Sequence, residues 1–273
     1  MDSKSQVKAF YEQVGWNRAR PGVFVDSARA EDLRPVSQEY RTRCHLRVNR
    51  CIPPSGKFLL DAASGPVQYP EYLTYSQNYQ YRLCADIAHN ALTQARAVLG
   101  EQGLYVQCDI TRLPFASDAL DGIVSLHTVY HVPAEEQAQA FGELHRTLKE
   151  GGSAAVVYSA GGRDPLTAVT LFPYRLAAAV WTGIRGLLRR GRPGSRAPRL
   201  YFHAHPYRWL VKTLAPRMDF EIVVWRSVSV PFLKVYIHGK PGKAFLAWLF
   251  RLEEKYPRFF GKSGAYPMLV VRK

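Results

Sequence analysis

The chain has 273 residues, 47% of them hydrophobic, which suffices for one substantial core with an elaboration and argues against two equal domains. Its four cysteines, Cys44, Cys51, Cys84 and Cys108, show no paired ligand spacing, so they read as reduced thiols and exclude a structural zinc. No apolar run follows the charged start, no uncharged stretch reaches the roughly 18 residues of a membrane span, and the net charge is +15, so the expectation is a basic cytoplasmic protein without signal peptide or transmembrane helix.

Val7, Phe10, Tyr11 and Val14 recur at helical spacing and predict a short amphipathic helix ending near Gly15. An arginine-rich helix is expected from about Pro35 to Asn49, closed by the breaker Pro53-Pro54-Ser55-Gly56. Phe58-Leu59-Leu60 then runs into Asp61 and the small residues Ala62-Ala63-Ser64-Gly65. That is the pattern of a buried parallel strand handing over to a tight turn, where the backbone can approach a ligand closely. Tyr81 to Ala85 is a second apolar run, ending at Asp86 and followed by the helical stretch HNALTQARAVLG. Two strands that each end in a carboxylate place a ligand across their carboxyl ends, as open α/β sheets do. Between them lies a segment with tyrosines at 69, 72, 75, 79 and 81, in which Pro66 opens the turn and Pro70 suits the first position of a helix. The turn lacks the G-x-G-x-x-G spacing whose bare amides hold a pyrophosphate, which argues against a dinucleotide dehydrogenase.

A third strand, LYVQ, leads into Cys108-Asp109-Ile110, and after the Leu113-Pro114-Phe115 turn a fourth ends at His127, Thr128, Tyr130 and His131. Residues at the carboxyl end of such a strand face the reaction centre. His127 and His131 are four apart with no evident third ligand, so no metal is expected. A helix with Phe141, Leu144 and Leu148 on its inner face precedes the fifth strand, Ala154 to Tyr158.

Residues 55 to 160 resemble the cofactor-binding core of the class I S-adenosylmethionine-dependent methyltransferases. Asp61 and Gly65 match the acidic residue and the middle glycine of that family's first motif, while Ala63 and Val67 stand where glycines are more usual. The resemblance implies an α/β fold, with a Rossmann-like seven-stranded mixed sheet, helices on both faces, an antiparallel last strand and helical lid elements. It implies S-adenosyl-L-methionine as cofactor, with Asp86 on the ribose hydroxyls, Asp109 towards the adenine amine, and Asp61 with Gly65 near the methionine end. Ala63, Gln68, Ile87, Ile110 and His127 complete the expected cofactor set. Segments before the first strand often form a lid in that family, so Tyr11, Trp16 and Tyr40 are candidate acceptor contacts, with Tyr130 and Tyr207. The competing reading is that these aromatics pack helices onto the sheet.

From Pro165 to Met218 there is no Asp or Glu, against ten Lys or Arg residues that include Arg185, Arg189, Arg190 and Arg192. This insertion reads either as a surface helix whose basic patch meets anionic lipid headgroups or as the cover of an acceptor cavity. No RNA-binding module is appended and the arginines are not interleaved with stacking rings, so nucleic acid is the less favoured partner. His203 and His205 cluster with Tyr207 and Arg208 before a helix opened by Pro206, either as candidate bases or as a cap. A sixth strand around Phe220 to Val230, an amphipathic helix and a seventh strand, Ala265 to Lys273, complete one domain: cap 1–54, core 55–160, lid 165–218 and C-terminal unit 219–273. The expected function is methyl transfer to a small-molecule or lipid-linked acceptor at oxygen, with His131, His203 or His205 as base, in a cytoplasmic protein that associates peripherally with membrane if the patch meets lipid. An RNA methyltransferase and a non-catalytic cofactor-binding protein stay open as alternatives.

Overall fold

The computed structural model describes residues 2–188 and 200–273. Ahead of the sheet come α1 (Ser3–Phe10), a wide helical turn over Tyr11–Gly15, the hairpin strands β1 (Arg18–Arg20) and β2 (Val23–Phe24), then α2 (Val25–Ala30) and α3 (Pro35–Leu46). The core follows as β3 (Gly56–Ala62), α4 (Pro70–Leu73), β4 (Tyr79–Asp86), α5 (His89–Leu99), β5 (Gly103–Gln107), β6 (Leu120–Leu126), α6 (Gln137–Thr147) and β7 (Leu148–Val157). Then come α7 (Pro165–Leu188), α8 (Tyr207–Leu214), β8 (Asp219–Arg226), α9 (Val230–Tyr236), α10 (Gly239–Lys255), α11 (Pro257–Ser263) and β9 (Tyr266–Arg272).

Strands β3 to β9 form one mixed sheet in the order β5-β4-β3-β6-β7-β9-β8. β9 runs antiparallel between β7 and β8, and the other neighbours are parallel. The strand order reverses between β3 and β6, so the carboxyl ends of β3, β4 and β6 open a crevice at the point where such sheets bind ligands.

Alternation along the central strands sends neighbouring side chains to opposite faces. Leu59, Cys84 and Val124 pack on one face with Tyr40 and Cys44 of α3, Trp225 and Leu246 of α10. Leu60, Leu83 and Ile123 pack on the other with Phe141 and Leu144 of α6 and Leu210 of α8. Both faces are therefore covered, which accounts for the near-continuous apolar runs of β3, β4 and β6. All four cysteines are free, and burial pushes the Cys44 and Cys84 thiols up to about 12, so they serve as core packing.

Elements the sequence predicts appear close to their expected bounds, including a helix that starts at Pro70, though α4 is only four residues long. The arginine-rich helix stops at Leu46 and passes into a tighter 3₁₀ turn over Arg47–Arg50. Arg189, Arg190 and Arg192, central to the membrane reading, lie outside the described residues. Among the described residues no helix is long and apolar enough to cross a membrane.

Two fully buried arginines stand in the sheet, Arg82 of β4 and Arg226 of β8. Arg82 of β4 donates through Nε (3.2 Å) and Nη2 to Oδ2 of Asp61 at the end of β3, and through Nη1 to the Tyr72 carbonyl at 2.6 Å. A buried guanidinium is tolerable only when its donors are matched in this way. Replacing Arg82 by Met leaves Asp61 buried and unpaired, so the Arg82→Met variant is expected to lose about 3–5 kcal/mol in urea denaturation; stability equal to wild type would show that the pair is not part of the folded core.

Candidate active site

The crevice holds a cavity of about 830 Å³. Its floor is the turn after β3 together with the ends of β4 and β6, and its roof is α1, the turn after it, α2 and Phe202. The turn is strained: Ala63, Gly65 and Val67 have φ of 58°, 55° and 52°, a left-handed conformation that costs an L-residue with a side chain, and a β-branched one most of all. The backbone thus keeps a glycine-type path although two of three positions are not glycine. At Gly65 glycine is also required for space, because a Cβ there would lie 2.9 Å from the ring of Trp16. His127, just after β6, is a further left-handed residue and lines the cavity with Ala63 and Gly65, with φ of 60°.

Asp86 ends β4 inside the cavity. Its Oδ2 accepts from the Gly65 amide at 2.9 Å and its Oδ1 from the Ala88 amide at 2.8 Å, leaving each oxygen a lone pair for a ligand hydroxyl. Burial raises its pKa to about 6, against the two amide bonds. Asp61 lines the same cavity with its carboxylate already engaged by Arg82. Gln68 lines it too, and its side-chain oxygen accepts from the Ser27 hydroxyl, tying α2 to the turn.

A small side pocket of about 50 Å³ opens beside Ala63, Ile87, Thr128 and His131, which it shares with the main cavity. Ile110, Cys108, Val132 and Pro133 make it a largely apolar slot. Asp109 stands at its rim, held by Lys4 of α1 at 2.6 Å and by the Thr111 amide at 2.9 Å. The three carboxylates singled out from sequence are therefore brought to one edge of the sheet, but only Asp86 is without a cationic partner.

His131 lies where both cavities meet. Its Nδ1 is 2.7 Å from the Tyr201 carbonyl, which can only accept, so Nδ1 carries the proton and Nε2 the lone pair. Burial lowers its pKa to about 4. His127 is lowered by burial to about 3; its ring meets Trp225 at 4.5 Å and Tyr266 at 5.4 Å edge-on, and its buried Nε2 has no hydrogen-bond partner among the described residues. His203 and His205 are not brought to the cavity: the His205 ring stacks on Trp209 at 3.7 Å and Nε2 donates to the Ala134 carbonyl at 3.0 Å, while the His203 amide donates to the Tyr130 carbonyl. These two histidines brace the chain before α8 against the loop after β6.

Of the aromatic candidates, Tyr11, Trp16 and Tyr130 line the cavity, Tyr11 stacking on Trp16 with ring centroids 4.9 Å apart. Tyr40 is buried behind the sheet, where its hydroxyl donates to Glu253 of α10 at 2.6 Å. Tyr207 lies on α8 under Lys262, facing a separate shallow groove. The 165–218 segment contributes Leu200 and Phe202 to the lining.

Sequence reasoning missed the α2 wall and the end of β8. Asp26, Ser27, Arg29 and Glu31 line the cavity, facing Arg226 and Tyr266. Arg226 donates to Glu31 at 2.5 Å and lies over the Tyr266 ring at 4.5 Å. Burial works to raise the Glu31 pKa, but Arg226 beside it holds the carboxyl below its usual value. Asp26 has neither a hydrogen bond nor an ion pair among the described residues, and burial, then Glu31, raises its pKa to about 6. An arginine inside the apolar run IVVWRSV was the available signal for this wall.

A family model described as a methyltransferase domain matches residues 60–156, the stretch that carries Asp61, Gly65, Asp86 and Asp109. The chain has a class I S-adenosylmethionine-dependent methyltransferase-like fold. Among solved structures it is similar to magnesium protoporphyrin IX methyltransferase of Synechocystis with bound S-adenosylhomocysteine, at 16% identity over 100% of both chains and a TM-score of 0.54. It is also similar to the cyclase SpnF, at 18% identity over 85% of this chain and 80% of that one, with a TM-score of 0.51. A third is Haemonchus contortus phosphoethanolamine N-methyltransferase 2, at 12% identity over 85% of this chain and 52% of that one, with a TM-score of 0.50. At such identities the likeness establishes the fold alone, and a cyclase among methyltransferases shows that this scaffold hosts more than one chemistry. No curated protein matches the chain by sequence.

The lowered histidine pKa values and the raised carboxyl values act oppositely on stability. On unfolding, His127 takes up a proton between about pH 3 and 6.5 and His131 between about pH 4 and 6.5, so their contribution is lost as pH falls through those windows. Asp26 and Asp86, raised from 3.8 to about 6, hold protons more tightly when folded and so gain stability as pH falls through nearly the same window. Because the two pairs offset, the sharper measurement is a site-resolved nitrogen NMR titration. His131 should retain the neutral Nδ1–H tautomer from about pH 8 down to about pH 5; titration near 6.5 would contradict the buried geometry.

Proposed function

We propose that this protein transfers the methyl group of S-adenosyl-L-methionine to a small-molecule acceptor, at oxygen. The observation that carries the reading is the Asp86 carboxylate: it sits at the switch point of the sheet, fixed by two backbone amides, has lone pairs left for a ribose diol, and adjoins an apolar slot, continuous with the main cavity, that would take one edge of a purine ring. Two buried donors of the lining without a partner among the described residues, Trp16 Nε1 and Arg226 Nε, fit a ligand that carries its own acceptors. Ala63, Ile87 and Ile110 would flank the base, and Asp86 the ribose.

Bound there, S-adenosyl-L-methionine supplies an electrophilic methyl on a cationic sulfur, open to in-line displacement. The chain's part is to orient the acceptor, exclude water and take the proton. Tyr11, Trp16, Tyr130 and Phe202 close the cavity with rings, and His131, kept neutral by burial with its proton on Nδ1, lines the cavity with Nε2 left as the base.

With methyl-labelled cofactor and fractionated cell extract, label is expected in a small organic or aqueous acceptor; label in RNA alone would contradict the reading. The Asp86→Ala variant should bind cofactor far more weakly in calorimetry while keeping its fold. His131→Gln should slow turnover by about 10²-fold or more; an unchanged rate would leave orientation and desolvation as the protein's whole contribution.

A lipid-linked acceptor, met at an anionic membrane surface, is favoured by one specific feature. Val169, Phe172 and Leu176 fall on one face of α7 and are 74%, 63% and 57% exposed. Beside them Tyr236, Phe232, Phe245 and Trp248 form a chain of ring contacts across α9 and α10, among the exposed Lys234, Lys240, Lys243 and Arg251. Apolar side chains ringed by cations suit an anionic interface, and Lys234 also borders the cavity. The protein should sediment with phosphatidylglycerol vesicles and not with phosphatidylcholine ones, and Phe172→Ser with Trp248→Ser should release it. Equal behaviour towards both vesicle types would leave a soluble acceptor.

A further inference from the structure

The cofactor reading leaves its amino-acid end to be placed, and the inference here rests on that reading. That end is a zwitterion, an ammonium beside a carboxylate, and needs an anionic acceptor and at least one cationic or N–H donor. The carboxylate expected for it, Asp61, has Arg82 donating to its Oδ2 from Nε and Nη2. Nor is there a long helix to offer free amides after the strained turn. The next helix, α4, spans four residues and opens with Pro70, which has no N–H.

The opposite wall supplies what the turn lacks. Asp26 of α2 presents a carboxylate to the cavity with no hydrogen bond or ion pair among the described residues, the charge of Arg29 near it acting to lower its pKa. Arg29, one helical turn further, lines the same cavity at its exposed mouth, its guanidinium 5.8 Å from the centre of the Phe10 ring. Trp16 packs its ring directly on Gly65, is 9% exposed, and its Nε1 is buried without a partner among the described residues. The Ser27–Gln68 hydrogen bond fastens α2 to the turn that carries Gly65, so these groups and the turn form one enclosure. Tyr11, in the roof, feels the charges of both Asp26 and Asp86, and both carboxylates line the same cavity.

We propose that the N-terminal cap, not the β3 carboxylate, reads the amino-acid end of the cofactor: Asp26 accepts from the ammonium, while Arg29 and the Trp16 indole donate to the carboxylate. The degraded glycine pattern and an Asp61 whose Oδ2 is taken up by Arg82 then have a common explanation. Recognition has moved from the turn's backbone and acid to side chains on the cap, and the turn retains only its shape.

The test compares two ligands by calorimetry on the full chain. S-adenosylhomocysteine carries the amino-acid end, whereas 5′-methylthioadenosine keeps adenine, ribose and sulfur without it. Wild type should prefer the former. Asp26→Asn and Arg29→Gln should each weaken S-adenosylhomocysteine by about tenfold or more, the scale of one charge-assisted hydrogen bond, and leave 5′-methylthioadenosine unchanged. Trp16→Phe, which keeps a ring on Gly65 and removes the donor, should show the same selective loss. Variants that weaken both ligands alike, or neither, would overturn the assignment while leaving the cofactor reading intact. A wild type that binds neither nucleoside would overturn both.

Discussion

The carboxylate of Asp86 is shared by two turns, and the crevice depends on that sharing. Through Gly65 it holds the strained turn after β3, and through Ala88 it starts the chain towards α5. The Ala63 and Ser64 amides add bonds of 2.6 and 3.2 Å to the Ala85 carbonyl, so the turn is tied at three successive residues to the end of β4. Left-handed residues with side chains cost on the order of 1–3 kcal/mol each and persist only where their surroundings over-determine them. The same ties that hold Ala63 and Gly65 in that conformation therefore fix the floor of the cavity.

The roof is held differently. Lys4 pairs with Asp109 and Glu136, the Glu12 carboxylate accepts from the His89 amide at 2.6 Å, and the Asn90 side chain donates to the carbonyls of Tyr11 and Glu12. Half-exposed ties of this kind are worth little singly, roughly 0–1 kcal/mol each. The apolar part of the contact is the small cluster of Trp16, Phe24, Ala88 and Ala91, with Tyr11 against it. A floor locked by buried bonds, an α2 wall held by the buried Arg226–Glu31 pair and an α1 edge fastened by a few weak ties give a site that can admit ligand past α1 without disturbing the sheet.

The sheet was legible because its strands are buried on both faces: Phe58 to Asp61, Tyr81 to Asp86 and Ala154 to Val157 read as apolar runs, and two end in carboxylates. The β1–β2 hairpin and the six-residue α2 were not, since elements so short carry no periodicity. That concealed half the site, including Asp26, Arg29 and Glu31. Asp61 was legible as a position but not as a group already paired, because Arg82 reaches it only through the register that sets Leu59 beside Arg82. Tyr40 and the His203–His205 pair show the converse limit. Sequence placed Tyr40 ahead of the first strand and the two histidines before a helix start, and only packing told that their side chains are turned from the cavity.

The most direct measurement is a crystal structure with S-adenosylhomocysteine bound. The account predicts the ribose hydroxyls on Asp86, the adenine in the slot between Ile87 and Ile110, and the Asp61–Arg82 pair unbroken. A nucleoside bound elsewhere, or one whose binding opens that pair to free Asp61, would contradict it.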